Sequence, residues 1–242
     1  MPTLSKPLVL TIDLDDSFAE SPAEDRAELV NAFETSEESV RLIYTSHENV
    51  EKLVEIAAKA ELPVPEMFLA DSGTTALKGD GSGTIEPLQR NVTQLWPGKD
   101  SVTKALGAID GVTLLEDAAP CRQSFNVETD EALELCQTKA DELGCSIEQR
   151  EGNSYDVLPY GVDKGASIGR WIVQENVTPS HVVSFTQAKG DAMMFGRGWR
   201  GGVLGGAGEE LKEGCKRFHN VRIMKTSGAR GVLDCLHQFG WL

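Results

Sequence analysis

The run Leu8-Val-Leu-Thr-Ile12 is wholly apolar or β-branched apart from one threonine, and it stops abruptly at Asp13-Leu-Asp15-Asp16-Ser17. A run this short and this uniform reads as a strand buried on both faces, the kind found inside parallel sheets. Open α/β sheets bind ligands beyond the carboxyl ends of their strands, which is where the acids stand. Carboxylates this close repel one another, so the site needs a cation or a shared proton. Hard carboxylate oxygens favour Mg²⁺, which binds through one or two carboxylates together with a substrate phosphate. Acids spaced i and i+2, with a hydroxyl at i+4, can divide nucleophilic attack, proton transfer and phosphate contact among them. The same residues also suit a helix N-cap with acids in its first turn. The segment alone leaves both readings open.

The rest of the chain alternates in the same way. Strands are expected at residues 40–45, 67–70, 181–185 and 200–204, and helices at 49–60, 164–175, 209–215 and 231–239. Lys78-Gly-Asp-Gly-Ser-Gly83 is the most loop-like stretch. Beyond it, helices at 99–109 and 128–143 alternate with strands near 112–115, 122–127 and 146–150, the order of an α+β insert. The expected architecture is α/β, a Rossmann-like parallel-sheet core made of residues 1–77 and 155–242, interrupted by an α+β cap at 78–154.

Bulk properties narrow the function classes. A formal charge of −15 argues against nucleic acid, which needs a basic footprint, and against anionic membrane surfaces. A phosphorylated ligand would meet a repulsive field, so its site must supply local positive charge. No run approaches the roughly 20 apolar residues that span a bilayer. The N-terminal stretch lacks the long apolar core and small-residue cleavage site of a secretory signal, so the cytoplasm is expected. Five cysteines without a C-x-x-C pair are expected to be reduced and structural.

Asp13-Leu-Asp15-Asp16-Ser17-Phe18 resembles the first motif of the haloacid dehalogenase phosphatases, a strand followed by D-x-D-x-[ST]. Leu42-Ile-Tyr-Thr45 resembles their second motif. Leu158-Pro159-Tyr-Gly-Val-Asp-Lys164-Gly165 resembles the L-P-x-x-x-x-K-G signature of the branch with a large cap, and Gly190-Asp191-Ala-Met-Met-Phe195 the tail of the metal-binding fourth motif. The ending from Gly228 to Trp241 is similar to that of the sucrose-phosphate phosphatase-like branch. The resemblance implies Mg²⁺-dependent hydrolysis of sucrose 6-phosphate or a related glycosyl phosphate through an aspartyl phosphate. Asp13 would attack phosphorus and Asp15 would act as general acid and base. Ser17, Thr45 and Lys164 would bind phosphate, and Asp13, Asp15, Asp191 and Gln187 would surround the metal. His47, Arg122, Ser124 and Asn126 would contact substrate. A sugar-phosphate synthase is the protein partner implied.

The chain departs from the pattern at several positions. Gln187 stands where the family has its direct metal carboxylate, Thr45-Ser46-His47 replaces T-G-R, and Gly206 stands where this branch tends to have Asn. The resemblance therefore leaves two readings, an active phosphatase or a catalytically impaired relic that binds a sugar phosphate or a partner enzyme.

Overall fold

The computed structural model describes residues 8–36, 39–150 and 152–242. The chain builds two sheets. Strands β1 (Leu8–Asp13), β2 (Val40–Thr45), β3 (Met67–Ala70), β4 (Thr75–Lys78), β9 (Val182–Thr186), β10 (Arg200–Val203) and β11 (Val221–Ile223) form the larger one. Its order is β11-β10-β9-β1-β2-β3-β4, parallel except for β4. Strands β5 (Val112–Leu114), β6 (Gln123–Val127), β7 (Cys145–Gln149) and β8 (Ser154–Pro159) form an antiparallel sheet in the order β5-β6-β8-β7.

Helices cover both faces of the larger sheet, and the alternation along β1 shows why. Leu8, Leu10 and Ile12 pack with Leu29 and Phe33 of α2 (Ala23–Thr35), Leu53 and Ile56 of α3 (Val50–Lys59), and Val232 and Leu236 of α9 (Gly228–Phe239). Val9 points the other way, to Leu88 of α4 (Glu86–Leu95) and to Ile168 and Trp171 of α7 (Lys164–Gln174). A strand whose successive side chains enter two separate cores must be apolar throughout. The short α1 (Asp16–Ala19) follows β1 directly, and α8 (Glu209–Cys215) covers Val203 and Val221. The smaller sheet packs Phe125, Val127 and Val157 against α5 (Lys99–Leu106) and α6 (Asp130–Glu142).

The central strand β1 lies between β2 and β9, so the chain winds away from it in both directions. Such a switch point opens a crevice at the carboxyl ends of the strands. Register places Asp13 beside Thr45 of β2, and Ile12 beside Phe185, one residue before Thr186.

One expected boundary is displaced. Residues 154–159 do not return to the larger sheet; β8 pairs with β6 on one side and β7 on the other, making it an interior strand of the smaller sheet. Its buried run from Asp156 to Pro159 is what an interior strand needs, and the same run reads equally well as a core strand. The chain crosses between the layers at residues 96–98 and again at 160–163, immediately before α7. Helix α4 was unexpected, because the glycines before it mask Leu88, Val92 and Leu95 at helical spacing and Pro87 in the first turn. No helix among the described residues is long and apolar enough to cross a membrane.

Candidate active site

Asp13 ends β1 with only 5% of its surface exposed. Its Oδ1 accepts hydrogen bonds from Lys164 Nζ and Thr45 Oγ1, both at 2.9 Å, and Thr186 Oγ1 lies 3.4 Å from Oδ2. Lys164 is 1% exposed, so the pair is held away from water, where each charge depends on the other. The first-strand acid and a lysine far along the chain thus meet as the sequence suggested.

Lys164 is placed by its own helix start. Asp163 caps α7, its Oδ1 accepting from Ala166 N at 2.6 Å, which fixes the lysine as the first helical residue. The turn after β3 packs against the same point. A Cβ on Gly73, whose φ is +94°, would lie 2.5 Å from the Asp163 carbonyl carbon and 2.6 Å from Lys164 N. Ser167 Oγ donates to the Gly73 carbonyl at 2.8 Å. Asp71 and Ser72 also have positive φ, 53° and 57°, so this turn holds a backbone conformation that side chains disfavour.

Asp15 caps α1: its Oδ1 accepts from Phe18 N at 2.8 Å and from Ser17 Oγ at 2.6 Å. Of the two readings of this acid, the helix N-cap is the one these contacts show. Gln187 Nε2 donates to Asp15 Oδ2 at 2.6 Å and to Ser17 Oγ at 2.5 Å. Asp13, Asp15, Ser17, His47 and Gln187 line one cavity of about 510 Å³.

His47 lines the cavity and also meets the turn after β3. Its Nδ1 lies 3.0 Å from Ser72 Oγ, and that hydroxyl donates to Asp156 Oδ2 at 2.7 Å. The serine proton goes to the carboxylate, so the ring N–H is on Nδ1 and is directed to Ser72. Burial, with the nearby charges of Lys164, Arg150 and Arg122, holds the imidazole well below its usual pKa and therefore neutral.

Arg122 and Ser124 are buried, and neither lines the cavity. Arg122 grips Asp117 through two hydrogen bonds, Nε to Oδ2 at 2.8 Å and Nη2 to Oδ1 at 3.0 Å, and donates to the His47 carbonyl. Asp71 lies 3.4 Å and Asp156 3.7 Å from the same guanidinium. Ser124 Oγ sits between Asp156 Oδ1 at 2.6 Å and Asp117 Oδ2 at 2.9 Å. Three carboxylates satisfy this arginine, which makes it a joint between the layers and corrects its expected role as a sugar contact. Asn126 is exposed, faces Thr113 and Ser154 across the smaller sheet, and does not reach the cavity. Asp191 belongs to the 3₁₀ segment Lys189–Arg197, and its side chain lies outside the described residues.

Sequence reasoning passed over Arg150, which leaves the end of β7 and lines the cavity beside Glu48 and Gly152. It pairs with Glu48 at 3.3 Å and lies 4.0 Å from Asp156. Thr186, the second hydroxyl near Asp13, was also missed; the pattern of a polar residue ending each of three adjacent parallel strands could have found it.

The cavity is lined by carboxylate, carboxamide and serine side chains, with no cysteine. Gln187 Oε1 is buried and has no hydrogen-bond partner among the described residues. No group of three His, Cys, Asp or Glu side chains among the described residues converges as a metal cage. A hard ion that keeps several waters and needs only one or two carboxylates fits such a set. All five cysteines are free and buried, and burial pushes Cys145 up to about 11 and Cys235 up to about 12, so these two thiols stay protonated.

A mainly parallel sheet with an acid at the tip of its central strand, crossed by a second α+β layer, is the fold of the haloacid dehalogenase-like hydrolases. The sucrose-phosphatase of Synechocystis sp. PCC6803, solved with sucrose and phosphate, superposes with a TM-score of 0.85 at 16% identity over 97% of this chain and 98% of its own. A haloacid dehalogenase-like hydrolase from Bacillus subtilis superposes with a TM-score of 0.71 at 16% identity, covering 99% of this chain and 94% of that one. Residues 6–240 match the family model for sucrose-6F-phosphate phosphohydrolase, and the chain belongs to that family. It is also 28% identical, over 97% of its length, to a glucosylglycerol-phosphate synthase of Pseudomonas anguilliseptica, of which it spans only 31%.

Proposed function

We propose that the chain hydrolyses the phosphate monoester of a glycosyl compound, sucrose 6-phosphate or a related phosphate such as a glucosylglycerol phosphate. The observation that carries this reading is the buried Asp13 carboxylate with Lys164 and Thr45 both on Oδ1. Holding one oxygen with two donors restricts the rotation of the carboxylate, as a positioned nucleophile requires, and the other oxygen keeps the long contact to Thr186. Asp13 attacks phosphorus and forms an aspartyl phosphate as the sugar oxygen leaves. Asp15 enters the step protonated, gives that proton to the leaving oxygen, and as a carboxylate then takes one from the water that releases phosphate, which restores its starting form. Lys164, Thr45 and Ser17 meet the phosphoryl oxygens, and Arg150 adds positive charge from the cap side of a strongly acidic chain. The smaller sheet with α5 and α6 acts as the cap, and the cytoplasm is the compartment that suits the free thiols.

Mg²⁺ is the ion whose chemistry suits the site. Asp13, the Asp15 carbonyl, Gln187 and Asp191 are the residues that would hold it, and it would offset the negative charge gathering on the phosphoryl group. The test is phosphate release from a panel of sugar phosphates with Mg²⁺. Release from a glycosyl phosphate, abolished by Asp13→Asn, supports the reading.

A second reading rests on Gln187, a carboxamide in place of a metal carboxylate: the chain binds a sugar phosphate, or a sugar-phosphate synthase, without turnover. Binding without release, converted to release by Gln187→Asp, would select it.

A further inference from the structure

Gln187, Ser17 and Asp15 close a ring of hydrogen bonds. The Gln187 amide gives one N–H to Asp15 Oδ2 and the other to Ser17 Oγ, and the serine hydroxyl donates to Asp15 Oδ1. The amide can sit only this way round. Reversed, its oxygen would face a carboxylate oxygen at 2.6 Å, two acceptors with no proton between them. A carboxylate at position 187 would have the same fault. The far side of the amide is shaped by Gly206, because a Cβ there would lie 2.7 Å from Gln187 Oε1. The two departures from the family pattern are therefore one feature: a longer side chain and the space that admits it.

We propose that Gln187, seated by Gly206, is a positioning residue that holds the Asp15 carboxylate in place for proton transfer to the leaving sugar oxygen. This rests on the reading of Asp15 given above. The amide supplies one donor to Asp15 and one to the serine that itself donates to Asp15, where a family-type carboxylate would repel the acid.

Substrates with different needs for a proton separate this role from a general structural one. An alkyl leaving group such as a sugar alcohol requires protonation, whereas p-nitrophenolate leaves without it. With the full chain and Mg²⁺, Gln187→Met should lower kcat on sucrose 6-phosphate by about 10–100-fold, a fraction of what general acid catalysis supplies. KM should change little, and kcat on p-nitrophenyl phosphate should fall far less. Gly206→Ala should show the same pattern more weakly. Equal losses on both substrates, or no loss on either, would overturn the proposal.

The ring itself is read without turnover. The Gln187 side-chain amide signals in a ¹⁵N spectrum, identified by their disappearance in Gln187→Met, should move in Asp15→Asn. Signals indifferent to Asp15→Asn overturn the ring even in an active enzyme. Signals that respond, in a wild-type chain that releases no phosphate from either substrate, sink the phosphatase reading while leaving the contact standing.

Discussion

Lys164 and Asp13 form a buried pair whose members come from opposite ends of the chain's winding, and each makes the other tolerable out of water. Lys164→Met keeps most of the volume and removes the charge. Breaking one side of such a pair costs about 3–5 kcal/mol, because the remaining carboxylate is buried without compensation. The expected outcome is a large fall in the urea midpoint together with loss of phosphate release. A variant that stays as stable as wild type would show that Asp13 does not depend on this lysine. The acid was legible in the sequence as the end of an apolar strand, whereas Lys164 was brought to the site only by the motif resemblance. Nothing near Arg150 says which cavity its side chain faces, because that is fixed by pairing between distant strands.

At the level of elements, the site depends on the junction between the turn after β3 and the first residue of α7. Gly73 is the contact point: its positive φ and the 2.5 Å approach of a built Cβ to the Asp163 backbone leave no room for a side chain. Gly73→Ala should destabilise the chain by about 1–3 kcal/mol, the usual cost of overpacking, and should lower activity by shifting Lys164. Equilibrium unfolding and phosphate release measured on the same preparation check both parts. The helix was readable from its Asp163 cap and apolar spacing, whereas the glycine was not, because its requirement comes from another segment. β8 shows the same limit in a different form. Its apolar run announces a buried strand, but only the hydrogen-bond ladders on both edges assign it to the smaller sheet.

Across the whole molecule, the two layers are joined by a buried polar network running from Asp117 through Arg122 and Asp156 to Ser72 and His47. The His47 imidazole is neutral here because burial and neighbouring cations depress its pKa. In the unfolded chain it returns to about 6.5. Below that pH the unfolded state binds a proton that the native state refuses, so the stability tied to neutral His47 is present above about pH 6.5 and lost on acidification. The thermal midpoint should therefore fall between pH 7.5 and 5.5, and His47→Gln should flatten that slope. An unchanged slope in the variant would show that the imidazole titrates normally in the fold. The general layout of sheet, helices and inserted layer was readable from the order of strands and helices. The network was not, because Arg122 in a strand looks the same whether it meets a sugar or three acids.

The chain returns from the smaller layer through residues 160–163 and enters α7 at once, with Lys164 as the first residue after the crossing. Lys164 therefore belongs to two neighbourhoods at once: its backbone sits directly after the crossing, and its ammonium lies 2.9 Å from Asp13, so an insertion or deletion within 160–163 would act first on the residue that faces the acid.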